Sequence, residues 1–181
     1  MESNNNNNNN NDTNNTQNGP VEVEDPSTFA ALEKLLTDQN IEFKMTTHRP
    51  TKTSEESAQV RGVTLASGAK AMLLKQEKDN IFLLIVLSAA RKVSWKLVRQ
   101  MVGTKKVNLA PPEDVKTLTK CIPGAVPPFG SLWGVKTYVD QSLFSQGPTI
   151  NFNAGLRTTS FSMSGEDYKK VENPTIGEFT E

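Results

Sequence analysis

The sequence is poor in the residues that most often carry chemistry, with one cysteine, Cys121, and one histidine, His48, among 181 residues. A single cysteine excludes a disulfide within the chain, and no cluster of residues has the spacing of metal ligands. The Gly-x-Ser-x-Gly signature of an activated serine nucleophile is also missing. We therefore expect no metal, no other cofactor and no catalytic triad.

Long apolar runs and a net charge are missing as well. The longest apolar run, Ile81 to Leu87, is far shorter than the ~20 residues that cross a bilayer. The N-terminus lacks the basic and apolar regions of a secretory signal. Lysine plus arginine (20) balances aspartate plus glutamate (20), so any affinity for RNA must come from local clusters of charge. These features predict a cytoplasmic protein with no membrane partner.

The chain length fits one globular domain with tails. Residues 1–25 form an asparagine-rich segment with almost no apolar side chains, which is typical of a disordered tail. Residues 26–173 carry the periodic apolar patterns of a folded domain. Residues 174–181, which follow Asn173-Pro174, are predicted to be a frayed C-terminal tail.

Helical and strand periods alternate along the domain. Thr53-Ser54-Glu55-Glu56 has the spacing of a capping box at a helix start. Helices are predicted from Pro26 to Asn40, from Thr53 to Val60, from Val93 to Val102, from Pro112 to Thr119, and after Ser164. Strands are predicted at residues 41–45, 69–75, 81–87, 135–139, 149–153 and 158–163. The order lacks regular βαβ alternation, so we predict an α+β (mixed α/β) fold with a mostly antiparallel mixed central sheet flanked by helices.

The segment Gly124-Ala125-Val126-Pro127-Pro128-Phe129-Gly130 is the most unusual local sequence. Its prolines fix φ, and its glycines allow backbone conformations that other residues avoid. Such a loop can hold main-chain groups ready for a ligand. It can equally be a structural turn anchored by its phenylalanine, which is the commoner role of Pro/Gly clusters.

This loop resembles the Gly-x-x-Pro-x-Gly signature of the YbaK/prolyl-tRNA-synthetase-associated family of editing domains. Further landmarks follow the family's order over about residues 29–171: His48, Glu55-Glu56, Lys70, Val139-Asp140 and Asn153-Ala154-Gly155. One departure is Lys120-Cys121-Ile122-Pro123, where the family often has Leu-Thr-Gly. The resemblance implies the family's fold and its activity, hydrolysis of mischarged aminoacyl-tRNA.

The resemblance also implies roles for individual residues. Lys70 corresponds to the lysine that binds the acylated 3′ end of tRNA, and Lys75 is a weaker substitute because it closes the strand. Gly124 and Gly130 are expected to present main-chain groups at the reacting ester. The residues expected to bind the substrate are His48, Val126, Pro127, Pro128, Phe129, Asn153, Ala154 and Gly155. His48 can also be a turn residue, and Cys121 is expected to be a buried or inert thiol.

A basic stretch runs from Arg91 to Lys106 without an acidic residue. Lys96 and Arg99 lie on one helix face, opposite the apolar stripe. We expect this stretch either to be a solvated face or to contact tRNA phosphates, with four residues as the candidates: Lys96, Arg99, Lys105 and Lys106.

The sequence therefore predicts a deacylase that acts in trans on mischarged tRNA. The expected substrate is a small amino acid such as alanine, cysteine or serine, attached to a non-cognate tRNA such as the tRNA for proline. Synthetase selection alone cannot reject smaller amino acids, because one methylene changes binding by only ~1–3 kcal/mol. A synthetase is a possible partner. A non-catalytic tRNA- or synthetase-binding module is the alternative, and a general ester hydrolase is a third option.

Overall fold

The structure is a computed structural model that describes residues 23–77 and 80–181. Residues 1–22, most of the predicted asparagine-rich tail, lie outside these ranges. The last residues of that predicted tail contact the domain. Glu24 accepts a hydrogen bond from the backbone N–H of Arg157 at 2.9 Å, and Asp25 accepts one from the N–H of Ser27. Contacts with the domain therefore begin at Glu24, two residues before the predicted start at residue 26.

Within the described ranges the chain forms five α-helices and eight strands in an α+β order. The helices are α1 (Ser27–Asp38), α2 (Ser54–Arg61), α3 (Trp95–Val102), α4 (Pro112–Thr119) and α5 (Gly165–Glu172). The strands are β1 (Phe43–Thr47), β2 (Ala69–Gln76), β3 (Ile81–Ser88), β4 (Val107–Leu109), β5 (Lys136–Asp140), β6 (Thr149–Leu156), β7 (Thr159–Ser164) and β8 (Thr175–Gly177). None of these helices is both long and apolar enough to span a bilayer.

The strands form two sheets, whereas the sequence suggested one. The smaller sheet has the order β1-β7-β6 and is antiparallel throughout. The larger sheet has the order β4-β2-β3-β5-β8. In that sheet β2 pairs antiparallel with β3 and β4, and the pairs β3-β5 and β5-β8 are parallel. The predicted α+β class and the predominance of antiparallel pairing are confirmed.

The larger sheet has an apolar cluster on each face, because side chains alternate across a strand. Leu73 and Val86 belong to the main core, to which the smaller sheet and α1 also contribute apolar side chains. Leu74 and Ile85 belong to a second cluster that α3 covers with Val98. Helix α3 therefore lies on the opposite face of the sheet from the main core.

The start of α2 is capped nearly as the sequence predicted. The Thr53 hydroxyl accepts a hydrogen bond from the N–H of Glu56 at 3.1 Å, which satisfies one of the free donors of the first turn. The Glu56 carboxylate accepts from the N–H of Lys52 at 2.8 Å, one residue before the position that a standard capping box uses. The cap orients α2 and the turn before it toward the sheet.

The expectation of a frayed end after Pro174 is wrong. Residues 175–177 form β8, and the side chain of Phe179 is fully buried in the second cluster. The buried carboxylate of Asp140 accepts hydrogen bonds from the N–H of Phe179 at 2.6 Å and from the hydroxyl of Thr180 at 3.2 Å. This carboxylate ties the end of the chain to β5.

Candidate active site

A cavity of about 770 Å³ opens beside the first half of β2. Its volume is in the usual range for small-molecule sites. The walls come from α2, the start of β2, the segment leading into α4, and the loop around Gly124. Part of the lining is made of small or branched apolar residues: Ala69, Ala71, Leu73, Ala110, Val115 and Val126. The polar and charged part, called the polar wall below, comprises Thr51, Lys52, Thr53, Ser54, Glu55, Ser57, Arg61, Lys70 and Asn153.

The two lysines of β2 have different environments. Lys70 is exposed and lines the cavity, and no ion pair or hydrogen bond of its ammonium to another described residue is present. Lys75 binds the carboxylate of Asp114 at 2.6 Å and lies 5.4 Å from the ring centroid of Phe82. Lys75 is therefore engaged within the fold, whereas the charge of Lys70 is available to a ligand.

Arg61 is another cation of the cavity lining, and the sequence analysis did not predict it. Its Nε donates to the Ser160 hydroxyl at 2.8 Å, and its terminal N–H donates to the side-chain oxygen of Asn153. Burial lowers the pKa of the guanidinium to about 10, so the group stays charged at neutral pH. No carboxylate of the described residues forms an ion pair with it. No local pattern marks this residue, which ends α2 just before Gly62.

The chain of hydrogen bonds continues from Asn153 to the loop. The Asn153 side-chain N–H donates to the carbonyl oxygen of Gly124 at 2.6 Å. Gly124 has φ +91°, a conformation that side chains other than hydrogen rarely allow, so a glycine is needed at this turn. Arg61 thereby holds one wall of the cavity in place through Asn153.

His48 does not line the cavity. Its Nε2 lies 2.7 Å from the Ser160 hydroxyl, and its Nδ1 lies 2.8 Å from the carbonyl oxygen of Arg49. Ser160 in turn accepts from Arg61. His48 is thus placed one hydrogen-bonded residue behind the polar wall, where it can orient Ser160 but cannot touch a ligand directly.

Only the first part of the Pro/Gly loop reaches the cavity, at Gly124 and Val126. Pro127, Pro128 and Phe129 are buried behind it. The Phe129 ring packs edge-to-face on Phe152 and Tyr168, and the Tyr168 hydroxyl donates to the carbonyl oxygen of Pro128 at 2.7 Å. The second half of the loop is part of the core.

Gly130 is buried away from the cavity. Its N–H donates to the Thr137 hydroxyl at 3.1 Å, and that hydroxyl donates to the buried carboxylate of Glu172. The same carboxylate accepts from the N–H and the hydroxyl of Ser131. Burial raises the pKa of the Glu172 carboxyl above its ordinary value, although these hydrogen bonds act in the opposite direction. The N–H of Gly130 is therefore used inside the protein.

Ala154 and Gly155 are also buried outside the cavity lining. The N–H of Gly155 donates to the carbonyl oxygen of Ala125 at 3.0 Å. A Cβ on Gly155 would lie 2.9 Å from the backbone nitrogen of Phe29, so this glycine lets α1 approach β6 closely. Among the three residues of the Asn-Ala-Gly landmark, Asn153 alone lines the cavity.

The basic residues expected to contact tRNA lie outside the cavity. Lys96, Lys105 and Lys106 are exposed, and the Arg99 guanidinium lies 5.9 Å from the ring centroid of Trp95. Lys96 and Arg99 belong to α3, on the sheet face opposite the main core. None of these four cations lines the cavity.

Cys121 is buried, and burial raises the pKa of its thiol to about 11. A thiol with that pKa is protonated at neutral pH and is a poor nucleophile. The cavity lining offers cations, one carboxylate (Glu55), side-chain amide and hydroxyl groups, and main chain. The cations suit the binding of an anionic ligand, and the small residues Ala71 and Val126 leave room for a small apolar group.

Comparisons with known proteins identify the family of the chain. The family described as "Aminoacyl-tRNA editing domain" matches residues 48–171. The Multifunctional Ser/Thr-tRNA deacylase ProXp-y of Escherichia coli (strain K12) is 30% identical over 154 residues, which cover 84% of this chain and 92% of that protein.

Two solved structures have a similar fold. A crystal structure named as a candidate trans-editing enzyme for prolyl tRNA synthetase aligns with a TM-score of 0.76 at 21% identity, over 88% of this chain and 99% of the other. The crystal structure of hypothetical protein APE2540 aligns with a TM-score of 0.75 at 18% identity, over 83% and 99%. The resemblance drawn from the loop and its landmarks is thus confirmed, and the chain belongs to the aminoacyl-tRNA editing domain family.

Proposed function

We propose that this protein is a trans-acting deacylase that hydrolyses the ester of tRNA mischarged with a small amino acid. The observation that carries the proposal is Lys70, a cation without a partner among the described residues, in the lining of a cavity that small apolar residues also line. An ammonium in this position can bind the terminal phosphate or polarise the ester carbonyl. We place the reaction in the cytoplasm, where tRNA is charged.

In the proposed reaction, water adds to the ester carbonyl carbon and the bond from that carbon to the ribose oxygen breaks. The ribose oxygen takes one proton of the water, the amino acid leaves as a carboxylate, and the other proton goes to solvent. Negative charge builds on the carbonyl oxygen during addition, so preorganised donors and cations accelerate the step. Among the side chains of the cavity, Lys70 is our first candidate to bind the substrate's phosphate or its carbonyl oxygen, with Gly124, Val126 and Asn153 shaping the pocket around the substrate.

Serine is the first candidate for the amino acid. It belongs to the set that the sequence suggested, alanine, cysteine and serine, and it is named for the Escherichia coli relative together with threonine. The polar wall supports a hydroxylated side chain, because the hydroxyl groups of Thr51 and Ser57, which hydrogen-bond each other at 2.8 Å, keep oxygen lone pairs that can accept a further hydrogen bond. The tRNA for proline is the first candidate for the non-cognate tRNA, and a synthetase is a candidate partner.

We also propose that the basic residues around α3 contact tRNA phosphates. The exposure of Lys96, Lys105 and Lys106 supports this role. Replacing Lys96 and Arg99 together with glutamine should weaken binding of every tRNA and flatten the dependence of binding on salt, because fewer counterions are released. If the dependence of tRNA binding on salt does not change, the stretch is an ordinary solvated face.

The deacylase proposal is tested with a panel of tRNAs charged with serine, threonine, alanine or cysteine. The purified protein should hydrolyse at least one of them, and Lys70→Ala should lower the rate about 100-fold or more while the melting temperature stays within error. Lys75→Ala is the matched control on the same strand. It removes a partly exposed ion pair and should cost about 1 kcal/mol or less of stability with little loss of rate.

The outcomes separate the alternatives. Wild-type rates from a folded Lys70→Ala variant would reject the role of this lysine. Tight binding of tRNA without hydrolysis of any ester would identify the protein as a non-catalytic binding module.

A further inference from the structure

The outer edge of β2 is open where it borders the cavity. β2 pairs with β3 along its whole length, but on its other side β4 covers only residues 74–76. Just before β2, Gly68 forms a bridge with Asn151 of β6. In the part of the chain that the structure describes, no strand pairs with the edge between these two contacts. Residues 69–73 of this open edge all line the cavity.

The direction of the backbone groups follows from the neighbouring hydrogen bonds. On one side of β2, the carbonyl oxygen of Gly68 accepts from the N–H of Ala89 at 2.7 Å, toward β3. On the other side, the carbonyl oxygen of Leu73 accepts from the N–H of Ala110 at 2.9 Å, beyond the end of β4. In an antiparallel ladder, consecutive residues turn these groups to opposite sides. The N–H and the C=O of Ala71 therefore both point out of the sheet at the open edge.

Building on the deacylase function proposed above, we propose that the aminoacyl group of the substrate pairs with Ala71 as one residue of an antiparallel strand would. In a hydrogen-bonded antiparallel pair, two residues exchange both N–H···O bonds. An aminoacyl ester carries the same two groups on either side of its α-carbon. Its α-ammonium donates to the C=O of Ala71, and its ester carbonyl accepts from the N–H of Ala71. That N–H then stabilises the oxygen on which negative charge develops.

The direction of this pairing brings the rest of the substrate to Lys70. The residue that follows the ligand's carbonyl in an antiparallel pair lies opposite the residue that precedes Ala71. In the substrate, the ribose and its phosphate follow the carbonyl. The proposed pairing and the proposed phosphate contact of Lys70 are therefore compatible in one bound geometry.

The pairing also determines which side chains fit. Opposed residues of an antiparallel pair place their side chains on the same face, with Cβ atoms ~4.5–5.5 Å apart. Ala71 shares its face of β2 with Leu73, and both contact the core cluster that contains Val126 and Ala110. The substrate's side chain would then lie against these small or branched groups. The methyl group of Ala71 thus becomes a determinant of amino acid size.

Two variants at one position test the pairing. Ala71→Pro removes the N–H in question but no ladder bond to β3, and edge positions of this kind tolerate proline. It should lower kcat about 100-fold or more, as loss of an oxyanion donor does elsewhere. Ala71→Val keeps both backbone groups and adds bulk on the substrate side. It should lower kcat/KM for threonyl-tRNA about 10-fold more than for alanyl-tRNA.

Melting curves establish that each variant is folded. A folded Ala71→Pro variant with wild-type kcat would overturn the pairing. If that variant does not fold, Ala71→Val decides: selective loss of the larger substrate supports the pairing, and equal loss for both substrates or no loss rejects it. A wild-type protein that hydrolyses no aminoacyl-tRNA would instead reject the deacylase function itself, before any variant is compared.

Discussion

Replacing Gly130 with alanine should destabilise the fold and leave the chemistry of the folded protein nearly intact. A Cβ at this position would overlap the Thr137 hydroxyl oxygen and the Val135 carbonyl oxygen, and it would lie 3.2 Å from the Val135 carbonyl carbon. Backbone atoms and a buried hydroxyl cannot move aside cheaply. Overpacking costs about 1–3 kcal/mol, and losing the hydrogen bond from the Gly130 N–H adds about 0.5–1.5 kcal/mol.

The expected total, about 1.5–4.5 kcal/mol, is a substantial share of a typical domain's stability of about 5–15 kcal/mol. For a chain of this size it corresponds to a fall in melting temperature of about 3–18 °C. Urea unfolding followed by circular dichroism gives the free energy, and deacylation at a temperature where the variant is folded gives the rate.

Gly134→Ala is the matched control, because Gly134 has φ +65° and no atom lies within 4 Å of the place that an added methyl carbon would occupy. It should cost only the left-handed strain, about 1–2 kcal/mol. The opposite result for Gly130→Ala, unchanged stability with lost activity, would refute this reasoning. It would restore the sequence-based hypothesis in which Gly130 acts on the substrate.

Two further predictions concern the core. Phe179→Ala should cost about 3–5 kcal/mol in urea unfolding, because the ring is fully buried, whereas Glu178→Ala should cost little; equal small losses would indicate a frayed end. Burial raises the pKa of the Glu172 carboxyl in the folded protein, so as pH rises this carboxyl ionises in the unfolded chain before it ionises in the folded protein. The free energy of unfolding should therefore decrease as pH rises from about 4.5 toward the raised pKa. Glu172→Gln should remove this fall, and identical pH–stability curves for the two proteins would contradict the assignment.

The sequence predicted the local elements well because their signals are local. The helix at residues 112–119 and the strands β2 and β3, predicted at residues 69–75 and 81–87, follow from apolar patterns within short stretches of the chain. The frayed end was a wrong prediction because β8 has three residues, too few for a period, and its partner β5 lies far back in the chain.

The site was predicted only in part, for a similar reason. Lys70, Gly124, Val126 and Asn153 belong to motifs and do meet at the cavity. Gly130 belongs to the same motif but faces the core, since a motif does not show on which side of a loop each residue lies. Arg61 has no motif at all. It matters only because the fold brings α2 against β6 and β7.

The open edge of β2 has a consequence for the solubility of the protein. Unpaired strand edges are templates for aggregation, and proteins usually cover or shorten them. Here the gap is confined to residues 69–73, between the bridge to β6 and the contact with Ala110, and it lies inside a cavity. In the pairing proposed above, one aminoacyl group occupies this stretch, and the shortness of the stretch makes it a poor template for the β-strand of another chain. The unpaired main-chain groups can thus serve a small ligand without offering a long edge to a second protein molecule.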